Sequence, residues 1–347
     1  MPNRIVTEAI DAVASRRDLT ADEASEVLGE IMGGSVGEVQ TAAFLIALRT
    51  KGETVDELTG LARTMRKLAA PVDVPGDDLL DTAGTGGGGV PTFNVSTTAA
   101  LVAAAAGCRV AKHGNRSATS LCGSADLLEA LGARIDLEPM AVRECIEEVG
   151  FGFMFAPAHH RATRHVVPVR KELAVRTIFN FLGPLTNPAG ATRQLVGVSD
   201  GAYLELVAGA LAQLGTRRAA VVSGMDGMDE VSVVSETTLL EVTPDGITPH
   251  TVSPERVGLE RAAAGDVKGG TPEENAEITR AVLEGEEGPR RSLVVLNAGA
   301  ALFVADRVPG FEEGVRLAEE TIDSEAALET LERFIACSVK LAPEAVA

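Results

Sequence analysis

Two hydrophobic rhythms divide the chain. In residues 1–70 apolar positions recur every three or four residues, as one buried helix face requires. Leu58, Leu61, Met65 and Leu68 make such a face. It begins after Thr54 and Glu57, and an earlier helix begins after Thr20 and Glu23. In each pair the hydroxyl and the carboxylate satisfy two free amides at a helix start. A strongly apolar helix over 39–48 stops at Lys51-Gly52, and the stretch 70–78, punctuated by Pro71, Pro75 and Gly76, is a linker. From Leu79 short apolar runs alternate with amphipathic stretches. They predict strands at 79–82, 108–112, 133–137, 152–155, 194–198, 219–223 and 238–242. Helices are expected at 96–106, 124–131, 140–149, 292–306 and 324–336, with a hairpin turning at Pro244-Asp245-Gly246. Strand–helix alternation of this kind builds a mainly parallel sheet covered by helices. The expected fold class is α/β: a small all-helical N-terminal domain and a large α/β domain with a mainly parallel central sheet.

Composition narrows the partners. The 347 residues are 45% apolar, with no Trp and one Tyr, and carry a net charge of -19. Such a chain has no stacking platform for single-stranded nucleic acid and repels polyanions, so neither nucleic acid nor membrane is expected as a partner. A phosphate ligand would need a local cationic site or a metal. Cys108, Cys122, Cys145 and Cys337 form no metal-type cluster and are expected as reduced thiols in a cytoplasmic protein. The N-terminus has no apolar signal core, and the run 95–107 is too short to span a bilayer.

The candidate chemistry starts at the first predicted strand. Asp81-Thr82-Ala83 leads into Gly84-Thr85-Gly86-Gly87-Gly88-Gly89 and then Phe93-Asn94-Val95-Ser96-Thr97 at a helix start. Strand, glycine loop and helix N-terminus together expose backbone amides to a phosphate. A dinucleotide fold would place an acid at the end of the next strand to hold a ribose diol. Here that strand ends in Lys112-His113-Gly114-Asn115-Arg116, which suits an anion. A second cationic stretch holds Arg161, Arg164, Arg170, Lys171 and Arg176 against the single acid Glu172, with His159, His160 and His165. Arginine offers a planar fork to a carboxylate or phosphate. Beyond the predicted strand 219–223, Asp229-Glu230 presents adjacent hard oxygen ligands of the kind that hold Mg²⁺ together with substrate phosphates. Asp226 lies in the same loop, and sequence alone does not separate it from that pair. The run from Arg176 through Asn180 to Gly183-Pro184 and Asn187-Pro188 predicts a rigid loop beside the basic cluster.

Taken together and in this order, these motifs resemble the anthranilate phosphoribosyltransferases. The glycine loop, Thr92 to Thr97, Lys112 to Arg116, Gly123 to Asp126, Val169-Arg170, Arg176 to Asn180, Gly183 to Pro188 and Asp229-Glu230 carry the likeness. Lys268-Gly269-Gly270 and Glu274-Asn275-Ala276 extend it toward the C-terminus. The resemblance implies a helical domain at 1–72, completed by a segment near 168–192, and an α/β domain at 76–347. It also implies a homodimer through the helical domain. The implied ligands are phosphoribosyl pyrophosphate, Mg²⁺ and anthranilate.

Carried over by residue, Gly84, Thr85, Gly86, Gly87, Asn94, Ser96, Thr97 and Lys112 would hold the sugar phosphates, with Thr92 and Val95 also expected in the substrate site. Gly114, Thr119, Ser120 and Cys122 complete the expected substrate wall, and Ser96, Asp229 and Glu230 would bind the metal. His113, Asn115, His160, Arg170 and Pro184 would line the anthranilate route. His113 and Arg170 are the residues expected to act on the reacting groups, Arg170 through the anthranilate carboxylate. The chain departs from the family pattern at Gly88, where Asp is usual, at Leu121-Cys122 in place of Lys-Ser, and at Arg161 and Thr163. The neighbouring readings are a pyrimidine nucleoside phosphorylase, a transferase for another aromatic amine, and a non-catalytic phosphoribosyl-ligand sensor.

Overall fold

The computed structural model describes residues 1–117 and 120–343. Helices α1 (Arg4–Ala14), α2 (Ala21–Met32), α3 (Glu38–Lys51) and α4 (Val55–Leu68) come first. Both expected capping boxes form, Thr20 with Glu23 and Thr54 with Glu57. Then follow β1 (Leu79–Gly84), α5 (Val95–Ala105), β2 (Arg109–Gly114), α6 (Ser124–Ala130), α7 (Pro139–Val149) and β3 (Phe151–Phe155). The short helices α8 (Ala156–His159), α9 (Val167–Leu173) and α10 (Phe179–Leu185) lead back to β4 (Arg193–Gly197), α11 (Leu204–Gln213) and β5 (Arg218–Gly224). The hairpin β6 (Thr237–Thr243) and β7 (Gly246–Val252) precedes α12 (Pro272–Leu283), α13 (Pro289–Val304), α14 (Phe311–Asp323) and α15 (Ala326–Leu341).

The strands form one seven-stranded sheet in the order β3-β2-β1-β4-β5-β6-β7. β1 to β5 are parallel, β6 runs antiparallel to β5, and β7 runs antiparallel to β6. Successive residues of a strand face opposite sides, so the sheet has a core on each face. Leu195 and Val222 join α5, α7 and α12 to α15, whereas Val196 and Val221 join α1 to α4 and α9 to α11. The N-terminal helices and the segment of α9 and α10 thus share one apolar core.

One expected strand is absent. Residues 133–137 do alternate, with Ala133, Ile135 and Leu137 buried, but no ladder forms. The Arg134 amide donates to Ser338 Oγ of α15 (3.0 Å), so this extended segment lies against a helix, and β3 remains the sheet edge. The run 176–188, expected as a rigid loop, contains helix α10, and α8, α9, α11, α12 and α14 are further helices outside the expected set, although Thr271 and Glu274 make a capping box like that of Thr54 and Glu57. Among the described residues no helix is long and apolar enough to cross a membrane.

The helical layer is pinned by one acid. Glu57 is 0% exposed and accepts from the Leu19 amide (3.0 Å), the Thr54 amide (2.8 Å) and Lys51 Nζ (3.1 Å). It therefore joins the approach to α2, the end of α3 and the start of α4. Removing one partner from a buried charged network leaves the others desolvated and unpaired. Glu57→Ala is expected to lower the unfolding free energy by about 3 kcal/mol in urea titrations, and a loss under about 1 kcal/mol would contradict this role.

Candidate active site

In a parallel sheet, ligands gather where strand order reverses. Here the chain winds from β1 outward to β3 and then returns to the other side of β1 as β4, so the reversal lies between β1 and β4. At the C-terminal ends of these strands Gly84 pairs with Gly197. The loop after β5 folds directly over them. A Cβ on Gly197 would stand 1.7 Å from the Asp229 carbonyl oxygen, and one on Gly84 would stand 2.6 Å from Asp229 Oδ2. Glycine at 197 lets the Asp229 backbone occupy this place, and glycine at 84 leaves room for its carboxylate. Asp229 Oδ2 then accepts from the Gly86 amide (2.9 Å), and Gly86 and Gly87 hold φ of +68° and +74°.

A cleft of about 440 Å³ opens here. Gly84, Thr85, Gly86 and Gly87 line it with Asn94, Ser96 and Thr97 at the start of α5. Lys112, His113, Gly114 and Asn115 come from the end of β2, and Ser120 from the loop that follows. Arg170, Pro184, Asp229 and Glu230 close it. Four expected residues stand behind this wall. Val95 is buried in the core, Thr92 bridges to Lys268, Cys122 bonds to Asn94, and the His160 ring packs 5.0 Å from that of His113. Thr119 lies outside the described residues. The cleft also includes Phe179, Asn180, Gly183, Arg116, Ser117, Gly123, Ser124 and Ala156. All but Ser117 and Ala156 belong to the motif runs 112–116, 123–126 and 176–188, so their signal was present at the level of the run rather than the residue.

Charge in the cleft is organised from beneath. Lys112 is 2% exposed and donates to the Thr82 carbonyl (2.5 Å) and, at 3.4 Å, to Ser96 Oγ. Burial lowers its pKa, while Asp81 and Glu230 oppose that shift. Asp81 is itself buried and accepts from the His113 amide (3.1 Å) and Asn187 Nδ2 (2.7 Å). Asn187 also donates to the Ala111 carbonyl (2.8 Å), which fastens the turn after α10 to the sheet. Burial raises the pKa of Asp229, and burial together with Asp229 pushes Glu230 up to about 8. Two neighbouring acids held this way want a cation between them.

The cationic segment divides. Arg170 faces the cleft with its Cζ 5.4 Å from the Phe179 ring centre. Burial lowers its pKa, and among the described residues it has no ion-pair partner. Arg176 stacks near Phe181 and Tyr203 and donates to Ser199 Oγ (3.2 Å), which in turn donates to the Gly86 carbonyl (3.0 Å). Arg161 and Arg164 lie outside the cleft lining, and Arg116 is committed to Asp126 and Glu129. Asp226 accepts from Ser232 Oγ (2.9 Å) and the Met228 amide (3.2 Å), so it shapes the loop while Asp229 and Glu230 face the cleft. Position 88 lies behind Asp229, where a Cβ would stand 3.1 Å from both Asp229 Oδ1 and the Gly227 carbonyl.

Residues 7–69 match the glycosyl transferase family, helical bundle domain, and residues 76–328 match the glycosyl transferase family, a/b domain. The fold and cleft are thus those of a glycosyl-transferring enzyme. The chain is 53% identical to the anthranilate phosphoribosyltransferase of Rubrobacter xylanophilus, over 97% of this chain and 99% of that one. Its structure resembles that of anthranilate phosphoribosyltransferase from Thermus thermophilus with a TM-score of 0.91 and 48% identity, covering 95% of this chain and 99% of that one. It also resembles the Saccharomyces cerevisiae enzyme in complex with PRPP and Mg, with a TM-score of 0.89 and 29% identity over 97% and 98% of the two chains. The chain belongs to the anthranilate phosphoribosyltransferase family.

The histidines give the site a pH signature. Burial, with His160 second, pushes His113 down to about 3, and burial, with His159 second, pushes His160 down to about 4, from an ordinary 6.5. Between those values and 6.5 the unfolded chain binds more protons, so these two groups withdraw stability as pH falls through that window. The buried acids act in the opposite sense, so the comparison of variants isolates the histidine. His160→Gln is expected to lose about 2 kcal/mol less than the native chain between about pH 6.5 and about pH 4.5 in urea unfolding. Parallel losses would contradict the burial of a neutral ring.

Proposed function

We propose that this cleft transfers the 5-phosphoribosyl group of phosphoribosyl pyrophosphate to the amine of anthranilate, giving N-(5-phosphoribosyl)anthranilate and pyrophosphate. The observation that carries the reading is the pairing of two anion sites in one cleft of a chain with net charge -19. One is the glycine loop with Lys112 beneath it, and the other is Arg170, which among the described residues has no ion-pair partner. The donor brings a diphosphate and the acceptor a carboxylate, so each ligand has its own site. The relatives support this transfer over nucleoside phosphorolysis.

The residues divide the work. The glycine loop Gly84 to Gly87 and the N-terminal end of α5 receive the diphosphate; the Thr85 and Gly86 amides are held by the Gly197 carbonyl and Asp229, and the Val95 and Thr97 amides by backbone carbonyls, so the helix end acts through its dipole, with no acid of its own in the first turn. Such preorganised dipoles favour the charge that develops as the anomeric C–O bond lengthens. Asp229, Glu230 and the Ser96 hydroxyl are hard oxygen donors that fit Mg²⁺. Mg²⁺ takes few protein ligands and shares its shell with substrate phosphates, so these donors would hold it together with the diphosphate. When bound, the ion neutralises the departing diphosphate. Arg170 orients anthranilate by its carboxylate. The arylamine is neutral at pH 7 and attacks from the opposite face. His113 can receive the proton that the attack releases. Its Nδ1 lies 3.2 Å from the Gly183 carbonyl, which only accepts, so the ring proton is assigned to Nδ1. That leaves Nε2 as a buried acceptor without a partner among the described residues. A weakly basic imidazole suffices, because the proton of a newly alkylated arylammonium is acidic.

The wider assignments follow the same reading. The helical domain comprises 1–72 with the segment near 168–192, and the α/β domain 76–347. A homodimer through the helical domain is supported by α3, where Val39 is 84% exposed and Ala43 follows on the same face. Four free, buried thiols support a cytoplasmic setting.

Mixing the protein with phosphoribosyl pyrophosphate, Mg²⁺ and anthranilate should consume anthranilate fluorescence. Arg170→Ala should raise the anthranilate KM about tenfold or more and leave that of the donor within about twofold. No loss of fluorescence would refute the reaction, and equal effects on both KM values would refute the carboxylate role.

A further inference from the structure

Asn94 stands at the N-cap of α5, where an Asn side chain ordinarily accepts from the amides of its own helix. Here it makes no such bond. Its Oδ1 is drawn away from the helix end and accepts from Asn275 Nδ2 (2.9 Å) and from the Cys122 thiol (3.2 Å). Its Nδ2 donates to the Cys122 carbonyl (3.3 Å).

Asn275 is 2% exposed and lies one turn into α12, outside the cleft lining. Its own amide orientation is set by the Gly270 amide, which donates to Asn275 Oδ1 (2.7 Å). With its oxygen occupied, Asn275 can only present N–H to Asn94, and Asn94 can only present oxygen in return. The assignment of both amides therefore follows from a backbone donor. One turn further along the same face of α12, Thr279 Oγ1 meets Thr98 Oγ1 of α5 (3.2 Å). The loop before α12 is pressed against the segment that leads into α5. Gly269 donates to the Pro91 carbonyl (3.3 Å), and a Cβ on Gly269 would stand 2.6 Å from Phe93 Cα. This accounts for the Lys268–Gly270 and Glu274–Ala276 motifs, which supply no group to the cleft.

We infer that Asn275 is a positioning residue for donor binding: it fixes the Asn94 side chain with its oxygen turned inward, so that the second Asn94 N–H is presented to the diphosphate in the cleft. Without Asn275, the Asn94 amide is free to rotate and to present its oxygen, in place of an N–H, to the phosphate. The inference rests on the reading of Asn94 and the start of α5 as part of the donor site.

The test is calorimetric titration of the full-length protein with phosphoribosyl pyrophosphate and Mg²⁺, using Asn94→Ala, Asn275→Ala, the double variant and the isosteric Asn275→Asp. Asn275→Ala is expected to weaken donor binding about tenfold, with the anthranilate KM little changed. Asn275→Asp should weaken it at least as much, because a carboxylate cannot donate to Asn94, and it keeps the test open if the alanine variant does not fold. In the Asn94→Ala background the further loss from Asn275→Ala should stay within about twofold. Native donor affinity in a folded Asn275→Ala variant or in Asn275→Asp would overturn the inference. So would losses that multiply in the double variant, since Asn275 would then act by another route. Native affinity in Asn94→Ala would instead refute the reading of Asn94, and the inference with it.

Discussion

The structure depends on two facing glycines. Gly84 and Gly197 are register partners at the ends of β1 and β4, and together they leave a hollow on the sheet into which the backbone and carboxylate of Asp229 descend. At Gly197 any Cβ would meet the backbone of the loop after β5, and at Gly84 it would turn the Asp229 carboxylate aside. With the loop seated, Asp229 reaches the Gly86 amide, Glu230 comes beside Lys112, and Gly86 is held through both its amide and its carbonyl. The strand reversal supplies a crevice, but these glycines bring the acids of one loop to the amides of another.

The cleft is held by polar groups that the core would otherwise reject. Lys112 and Asp81 are buried beneath it, and each is surrounded by donors or acceptors of the right kind. Desolvation raises the pKa of both Asp229 and Glu230, so this wall of the cleft favours positive charge. Arg170 sets the opposite preference at the other side. The protein as a whole is strongly acidic, yet the local field is set by a few desolvated groups, whose interactions are far less screened than those at the surface. Stability and binding draw on different residues, with Glu57 serving the first from within the helical layer and the Asn275–Asn94 pair the second.

Much of this was legible before any coordinate. The change from a helical to an alternating rhythm at Leu79 placed the boundary between helical bundle and sheet, and the strands it predicted at 79–82, 152–155, 194–198, 219–223 and 238–242 are all present. Residues 133–137 misled because alternation reports burial on one side and not hydrogen bonding; their partner is the Ser338 hydroxyl. Asp226 and Asp229 were indistinguishable as letters. They part only when the turn after β5 commits one to Ser232 and sends the other over Gly197. Likewise the run of arginines marked a basic region, but only the fold shows that Arg170 enters the cleft, Arg176 braces Ser199 and Arg161 stays outside. Asn275, 181 residues from Asn94, is the kind of partner that spacing alone cannot announce.

The most direct test is a crystal structure of the protein with phosphoribosyl pyrophosphate and Mg²⁺ bound. The diphosphate should lie against the glycine loop Gly84 to Gly87 and the N-terminal end of α5, with the metal between it and the carboxylates of Asp229 and Glu230. A diphosphate bound elsewhere in the cleft, or a metal held without either carboxylate, would contradict the account.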